Sequence, residues 1–146
     1  VQGDLKEFDA SSWKVGIVVA QFNKIYTDKL LEGALARAED YMLPDENIKV
    51  LQVAGSVEIP LALQHLAKSG EYDALLALGC IIKGETAHFD YVCKFVSEGI
   101  LRVQLDHDIA IGFGVLTCTT KQQAVDRTHL GPEYFDAALQ LAKITR

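Results

Sequence analysis

Two uninterrupted apolar runs, Val15-Gly-Ile-Val-Val-Ala20 and Ala74-Leu-Leu-Ala-Leu-Gly79, constrain this chain more than any other feature. Neither alternates polar with apolar positions, so neither suits a strand with one face in water. Runs of this kind are strands buried on both sides, as in a parallel sheet covered by helices. The segments between them have helical periodicity. Thr27 opens a stripe of Leu30, Leu31, Ala34, Leu35 and Ala38 that reaches Met42, and Thr27 and Asp28 suit its N-cap. Ile48–Val53 reads as a second strand. Gly55–Pro60 reads as a turn into a helix that carries Leu61, Leu63, Leu66 and Ala67 and stops at Ser69-Gly70. After the third strand comes a loop, Cys80 to Ala87, then a helix from about Phe89 to Leu105 with Val92, Val96, Ile100 and Val103 on one face. Ile109–Leu116 is the fourth strand. Thr119 or Thr120 caps a short helix to Arg127, Gly131-Pro132 breaks it, and Glu133–Ile144 is the last helix. Strands alternating with helices predict an α/β fold: a flavodoxin-like three-layer α/β/α sandwich around a four-stranded parallel sheet. The chain is expected to be a single domain over 1–146. Residues 1–12 read as a loose arm or an extra N-terminal strand on a neighbouring subunit's sheet.

In such a sheet, ligands bind beyond the carboxyl ends of the strands. Four segments meet there: Gln21-Phe-Asn23, Ala54-Gly-Ser-Val-Glu58, Cys80 to Phe89, and Thr117-Cys-Thr-Thr120. A phospho-acceptor site is excluded, because Gln21-Phe22 and Gly79-Cys80 stand where acidic residues would be needed. A dinucleotide fingerprint is also excluded, since Gly112-Phe-Gly114 lies inside a late strand, and there is no P-loop. Phe22 just after a strand could plug the end of the core or stack on a flat heterocycle. Gly55-Ser56-Val57-Glu58 offers backbone N–H groups, a hydroxyl and a carboxylate, a set that could hold a polyol or simply cap a helix. Lys83-Gly-Glu-Thr-Ala-His88 is the most informative stretch. Gly84 allows close backbone approach, and the N–H groups around Glu85 and Thr86 precede a helix, which suits a phosphate. Glu85 is expected to point outward, away from such an anion. His88 falls in or near the first helical turn, where the dipole favours a neutral ring able to move protons; a surface capping role is the alternative. His65, His107 and His129 read as surface residues, and Arg127 by itself reads as a solvated charge.

Composition narrows the function classes. Lys and Arg total 14 against 20 Asp and Glu, a net charge of -6, with no basic cluster; a nucleic-acid partner is not expected. Hydrophobic residues at 49% and charged residues at 23% are ordinary for a globular domain. The three cysteines, Cys80, Cys93 and Cys118, form no C-x-x-C pair, so neither a disulfide framework nor a metal site is expected. No run approaches a membrane span and the N-terminal stretch lacks an apolar signal core, so no membrane association is expected and a cytoplasmic location fits best.

Several motifs together closely resemble the lumazine synthase family, which catalyses the penultimate step of riboflavin biosynthesis. They are Gln21-Phe-Asn23, Ala54-Gly-Ser-Val-Glu-Ile-Pro60, Gly79-Cys-Ile-Ile-Lys-Gly-Glu-Thr-Ala-His-Phe-Asp-Tyr91, Phe113-Gly-Val-Leu-Thr117 and Gln122-Gln-Ala-Val-Asp-Arg127, in the family's order and spacing from about residue 14 to 127. The block G-x-x-I-x-G-x-T-x-H-F-D-Y is the specific one. The resemblance implies condensation of 5-amino-6-ribitylaminouracil with 3,4-dihydroxy-2-butanone 4-phosphate to 6,7-dimethyl-8-ribityllumazine, releasing phosphate and water, with no cofactor and no metal. It implies that Phe22 stacks on the pyrimidine and that Asn23 lies among the substrate-binding residues. Ser56, Val57 and Glu58 would hold the ribityl chain, Ile81, Ile82 and Lys83 would address the pyrimidine edge, and Gly84, Glu85 and Thr86 would cradle phosphate. His88 would shuttle protons. Phe113 and Arg127 would come from a neighbouring subunit, with Arg127 gripping phosphate as a catalytic residue beside His88. It also implies a homo-oligomer with the active site at the subunit interface: a pentamer, or a decamer or sixty-subunit shell built from pentamers. Riboflavin synthase is a further candidate partner.

The chain departs from the pattern after Arg127. The family usually shows a segment like A-G-x-K-x-G-N-K-G, whereas this chain has the shorter Thr128-His-Leu-Gly-Pro-Glu-Tyr134 without a lysine. A cationic contact to phosphate would then be missing, with His129 as a candidate substitute, and turnover and assembly size are open to the change. The alternative expectation is a lumazine- or flavin-binding or shell-forming relative with weak or no catalysis.

Overall fold

The computed structural model describes residues 6–84 and 88–146. Four strands, β1 (Val15–Ala20), β2 (Ile48–Val53), β3 (Ala74–Ile82) and β4 (Ala110–Cys118), form one sheet in the order β2-β1-β3-β4. All three pairings are parallel, running from Val15↔Ile48 to Ala20↔Val53, from Val15↔Ala74 to Val19↔Leu78, and from Ala74↔Ala110 to Ile82↔Cys118. Every residue of β1 is buried, and all of β3 is buried but for Ile82, as expected of central strands with no face in water.

Five helices connect and cover the strands: α1 (Lys24–Asp40), α2 (Ile59–Ser69), α3 (His88–His107), α4 (Lys121–Arg127) and α5 (Gly131–Thr145). Side-chain alternation along the strands divides the apolar residues into two cores. Val15, Ile17, Val19, Leu76 and Leu78 face Leu30 and Ala34 of α1 and Phe135 and Leu139 of α5. Val18, Leu75, Ala77 and Val115 face Ile59 and Leu63 of α2 and Val96 and Ile100 of α3. This is the expected three-layer sandwich.

Three sequence expectations shift. Helix α1 begins at Lys24, so Thr27 is inside it and not its cap. The buried Thr27 hydroxyl donates 2.8 Å to the carbonyl of Ala20, satisfying an acceptor left over where β1 ends. Strand β3 runs on through Cys80, Ile81 and Ile82, which the sequence pattern places in a loop. Continued pairing with β4 accounts for the extension, and the Lys83 N–H donates 2.8 Å to the Cys118 carbonyl one step further on. Gly131-Pro132 opens α5 instead of breaking the chain, because proline is tolerated in a first helical turn. A short 3-10 turn, Thr128–Leu130, links α4 to α5, and a Cβ at Gly131 would run into the Leu30 carbonyl. The divergent connector is thus a tight turn seated on α1. Thr120, one of the two candidates, caps α4 through the Gln123 N–H.

The described part of the N-terminal arm forms no strand and packs on its own chain. Phe8 lies 5.0 Å from the Trp13 ring and 5.2 Å from that of Tyr41, centroid to centroid. Lys143 sits over Phe8 and Arg146 over Trp13. The Lys6 carbonyl accepts from Gln140, and the Ala10 N–H donates to the Tyr41 carbonyl. Residues 1–5 of the expected arm lie outside the described residues.

Candidate functional site

A hollow of about 490 Å³ opens at the carboxyl ends of β1, β2 and β3. It lies at the boundary between β1 and β3, where successive crossovers leave the sheet toward opposite faces, the usual place for a ligand in this architecture. Phe22 and Asn23 line it from the end of β1, and Gly55, Ser56, Val57 and Glu58 from the turn after β2. Cys80, Ile81 and Ile82 form its floor on β3, and His88 and Val92 come from α3.

Local structure explains the presentation. Asn23 precedes α1 in a left-handed conformation, φ 63°, and the chain turns sharply from strand to helix there. That turn leaves the Phe22 ring 72% exposed, far more than a residue plugging the core would be. The Phe22 N–H is tied to the Ala54 carbonyl at 2.9 Å, so the ring's base is fixed while its face is open. Ser56 is buried, and a Cβ at position 79 would lie 2.6 Å from its hydroxyl oxygen, so Gly79 is what lets the turn after β2 settle onto β3. Glu58 is the residue before α2 and makes no side-chain capping bond there, while its place in the short turn Ser56–Glu58 keeps the dipole alternative open for its charge. An exposed carboxylate and the hydroxyl of a buried serine therefore line the hollow beside an exposed aromatic ring.

Cys80 forms part of the wall. Burial, and secondarily the neighbouring Cys118, pushes its thiol up to about 12, so the sulfur stays protonated near neutral pH and is no nucleophile. Gly55 and Cys80 lie in segments that the sequence places at the ligand edge, whereas Val92 does not stand out as a site residue. The pattern reads Val92 only as part of the core stripe of α3, yet it stands four residues after His88 and so shares its helical face.

The other candidates are placed differently. Lys83 and Gly84 follow β3 and are exposed, and neither lines the hollow. Glu85 and Thr86 lie outside the described residues. Phe113, on the edge strand β4, is 41% exposed and faces a separate hollow with Ser97, Ile100, Leu101, Gln104 and Ile111. Arg127 ends α4, where its guanidinium donates 2.9 Å to the Gln123 carbonyl. Its charge acts on Cys118 and Tyr134. One chain therefore gathers Phe22, Asn23, Ser56, Val57, Glu58, Ile81, Ile82 and His88, and holds Phe113 and Arg127 elsewhere. Among the described residues no group of three or more His, Cys, Asp or Glu side chains is gathered in a metal-binding arrangement, and no helix is long and apolar enough to cross a membrane.

Residues 12–146 match the family model described as 6,7-dimethyl-8-ribityllumazine synthase. The chain belongs to that family. It is 45% identical over 141 residues to the 6,7-dimethyl-8-ribityllumazine synthase of Coxiella burnetii strain Dugway 5J108-111, covering 93% of each chain. It is also 45% identical over 121 residues to the protein of the same name from Desulfovibrio desulfuricans, covering 83% of this chain and 78% of that one. The match extends through Thr128–Tyr134, so the shortened connector does not remove this lumazine synthase family member from its family.

Proposed function

We propose that the hollow between β1 and β3 is the active site of a lumazine synthase. As a member of that family, the protein is an enzyme of riboflavin biosynthesis that condenses 5-amino-6-ribitylaminouracil with 3,4-dihydroxy-2-butanone 4-phosphate to 6,7-dimethyl-8-ribityllumazine. In this reading the pyrimidine stacks on the open face of Phe22, and its edge meets backbone groups of Ile81, Ile82 and Lys83. The ribityl hydroxyls bond to the Ser56 hydroxyl, the Val57 backbone and the Glu58 carboxylate. Gly84, with Glu85 and Thr86, receives the phosphate. The observation that carries the reading is the convergence of Phe22, Ser56, Glu58 and His88 from three separate stretches of chain on one hollow.

The chemistry asks little of the protein beyond placement. The pyrimidine amine attacks the ketone and water leaves to give an imine. Phosphate is then eliminated, and the ribityl-bearing nitrogen closes the ring with loss of a second water. Holding two reactive partners together supplies much of the acceleration. His88, at the first position of α3, moves protons during imine formation and elimination.

The site is completed by a second copy of the chain. Phe113 and Arg127 lie outside the hollow of their own subunit, and a neighbour's copies supply the second aromatic wall and the phosphate clamp. An apolar band supports this. Val57, Leu61, Phe95, Leu101, Leu105 and Phe113 are all exposed, and a groove between α2 and α3 begins at Val57, where the hollow ends. The assembly is a ring-like homo-oligomer, a pentamer in this reading, which can stack or close into larger shells. It works in the cytoplasm, with riboflavin synthase as the consumer of its product.

The test is protein-dependent appearance of the lumazine chromophore from both substrates against a no-enzyme control. His88→Ala should lower kcat more than it raises KM. Mixed assemblies of Phe22→Ala and Arg127→Ala subunits should show a higher kcat/KM than either variant alone. A site built from one chain would give no such gain.

A further inference from the structure

The hollow occupies a place where the sheet should come apart. Beyond Val19↔Leu78, the last β1–β3 pair, β1 turns off into α1 on one face, while β3 continues for four more residues. No ladder bond holds the two chains together there, although Phe22 belongs to one and Ile81 and Ile82 to the other. Among the described residues a side chain bridges them: the Asn23 amide donates 2.8 Å to the Cys80 carbonyl, across 57 residues of sequence and partly shielded from solvent.

Asn23 meets a second demand as well. Its φ of 63° is left-handed, and among the described non-glycine residues only Met42 and Asp108 share that region. The conformation lets the Asn23 carbonyl accept from the N–H groups of Tyr26 and Thr27 and start α1 without a spacer. Glycine would adopt this φ more easily but carries no amide, and most other side chains would be strained. Asparagine combines tolerance of the backbone with a donor long enough to reach β3.

We infer that Asn23 is a positioning residue for the pyrimidine: its tie to Cys80 sets the distance between the Phe22 ring and the backbone at Ile81–Lys83, and it acts on recognition through those groups. The inference rests on the assignment of Phe22 and Ile81–Lys83 to the pyrimidine.

Steady-state kinetics of the assembled enzyme with both substrates test it. Asn23→Gly keeps the left-handed backbone and removes the tie; Asn23→Asp keeps shape and removes the donor. Each should raise KM for the ribitylaminouracil by about fivefold, with kcat and KM for the butanone phosphate near parent values and the thermal midpoint lowered by a few degrees, because the Cys80 carbonyl loses its donor. In a Phe22→Ala background, Asn23→Gly should change that KM by under about twofold, because both substitutions act through the same ring. A parent-like KM in Asn23→Gly, or an undiminished effect in the Phe22→Ala background, overturns the positioning role. A parent-like KM in Phe22→Ala alone overturns instead the assignment of the pyrimidine to this ring.

Discussion

The two sides of β1 are built to different standards. On the side of α1 and α5, polar groups pair within the chain, except that the buried Arg37 Nε, 3.2 Å from Asp136, makes no hydrogen bond. The Tyr41 hydroxyl donates to Asp136 at 2.8 Å and accepts from Gln140, and Arg37 reaches Glu7, Asp40 and Asp136. Burial works against the Arg37 charge, but these carboxylates outweigh it and its pKa is raised. Phe8, Trp13, Tyr41 and Phe135 close the surface, each in ring contact with another. On the side of α2 and α3, Phe22, Leu61, Phe95 and Leu105 face solvent, and Glu58 makes no side-chain capping bond. The first side ties its aromatic and charged groups together within the chain, with Ile25, Leu141 and Ile144 still exposed, and the second presents the apolar face that the proposed function assigns to substrate and a second subunit. Substitutions on the first should therefore act on folding and those on the second on catalysis.

The largest effect tests the finished side. Tyr41 is 1% exposed, and Tyr41→Ala removes its ring contacts and both hydrogen bonds. It should cost about 3–5 kcal/mol in a urea titration, while kcat of the protein that remains folded stays at the parent value. A loss of kcat without loss of stability would break the division.

Next comes Arg127, at the end of α4, whose Ala124 packs in the core of the α1 and α5 side; its proposed role makes it the exception to the division. Arg127→Ala should lower kcat/KM for the butanone phosphate by about 100-fold, since a charged group gripping phosphate is worth about 1.5–3 kcal/mol. Among the described residues the Arg127 guanidinium bonds to a carbonyl of its own helix, so the unfolding midpoint should stay near the parent value. A parent-like rate would mean that the shortened connector has moved the anion contact elsewhere, with His129 in the same turn the first residue to substitute.

These placements also indicate how much of the molecule is legible in its sequence. The two apolar runs specify the layered sheet, because burial on both faces permits little else, and all four strands and both covering layers come with it. Helix starts are harder. Thr27 looks like a cap because hydroxyls favour that position, but a carbonyl stranded at the end of β1 takes the hydroxyl instead, a tertiary demand invisible in local pattern. Gly131-Pro132 suits either the end of one helix or the start of the next, and close packing against Leu30 decides for the start. Within the site, Phe22, Ser56, Glu58 and His88 stand out by residue type at strand and helix ends. Val92 does not, since the wall of a hollow looks like core until the chain is folded.

The finished side has a pH limit of its own. Burial, with lesser contributions from Asp136 and Glu7, raises the Tyr41 phenol from 10.0 to about 12, while its bond from Gln140 pulls the other way. The folded chain thus keeps a proton that the unfolded chain loses above pH 10. Stability from this group is complete below pH 10 and should decline by about 2 kcal/mol as pH rises toward 12. Tyr41→Phe should flatten that limb of the stability profile relative to the parent. An unchanged slope would remove Tyr41 as its source.

The smallest expected change concerns the residue that looks most out of place. A ring 72% exposed on a folded surface gains little from burial, so Phe22→Ala should leave the thermal midpoint within about 1 °C of the parent. Its KM for the ribitylaminouracil should rise about tenfold, the scale of one aromatic stacking contact, about 1.4 kcal/mol. Phe22→Tyr, which keeps a flat face, should restore most of the affinity, whereas Phe22→Leu, of similar apolar size, should restore little. If leucine served as well as tyrosine, the position would be a generic apolar wall, and the contrast between the two sides would rest on oligomer contacts instead of ligand recognition. If the alanine variant also melted several degrees lower, the ring would be buried under a neighbouring subunit before any substrate arrived. The open side would then be divided between a surface finished by assembly and a smaller one, around Ser56 and Glu58, finished only by the ligand.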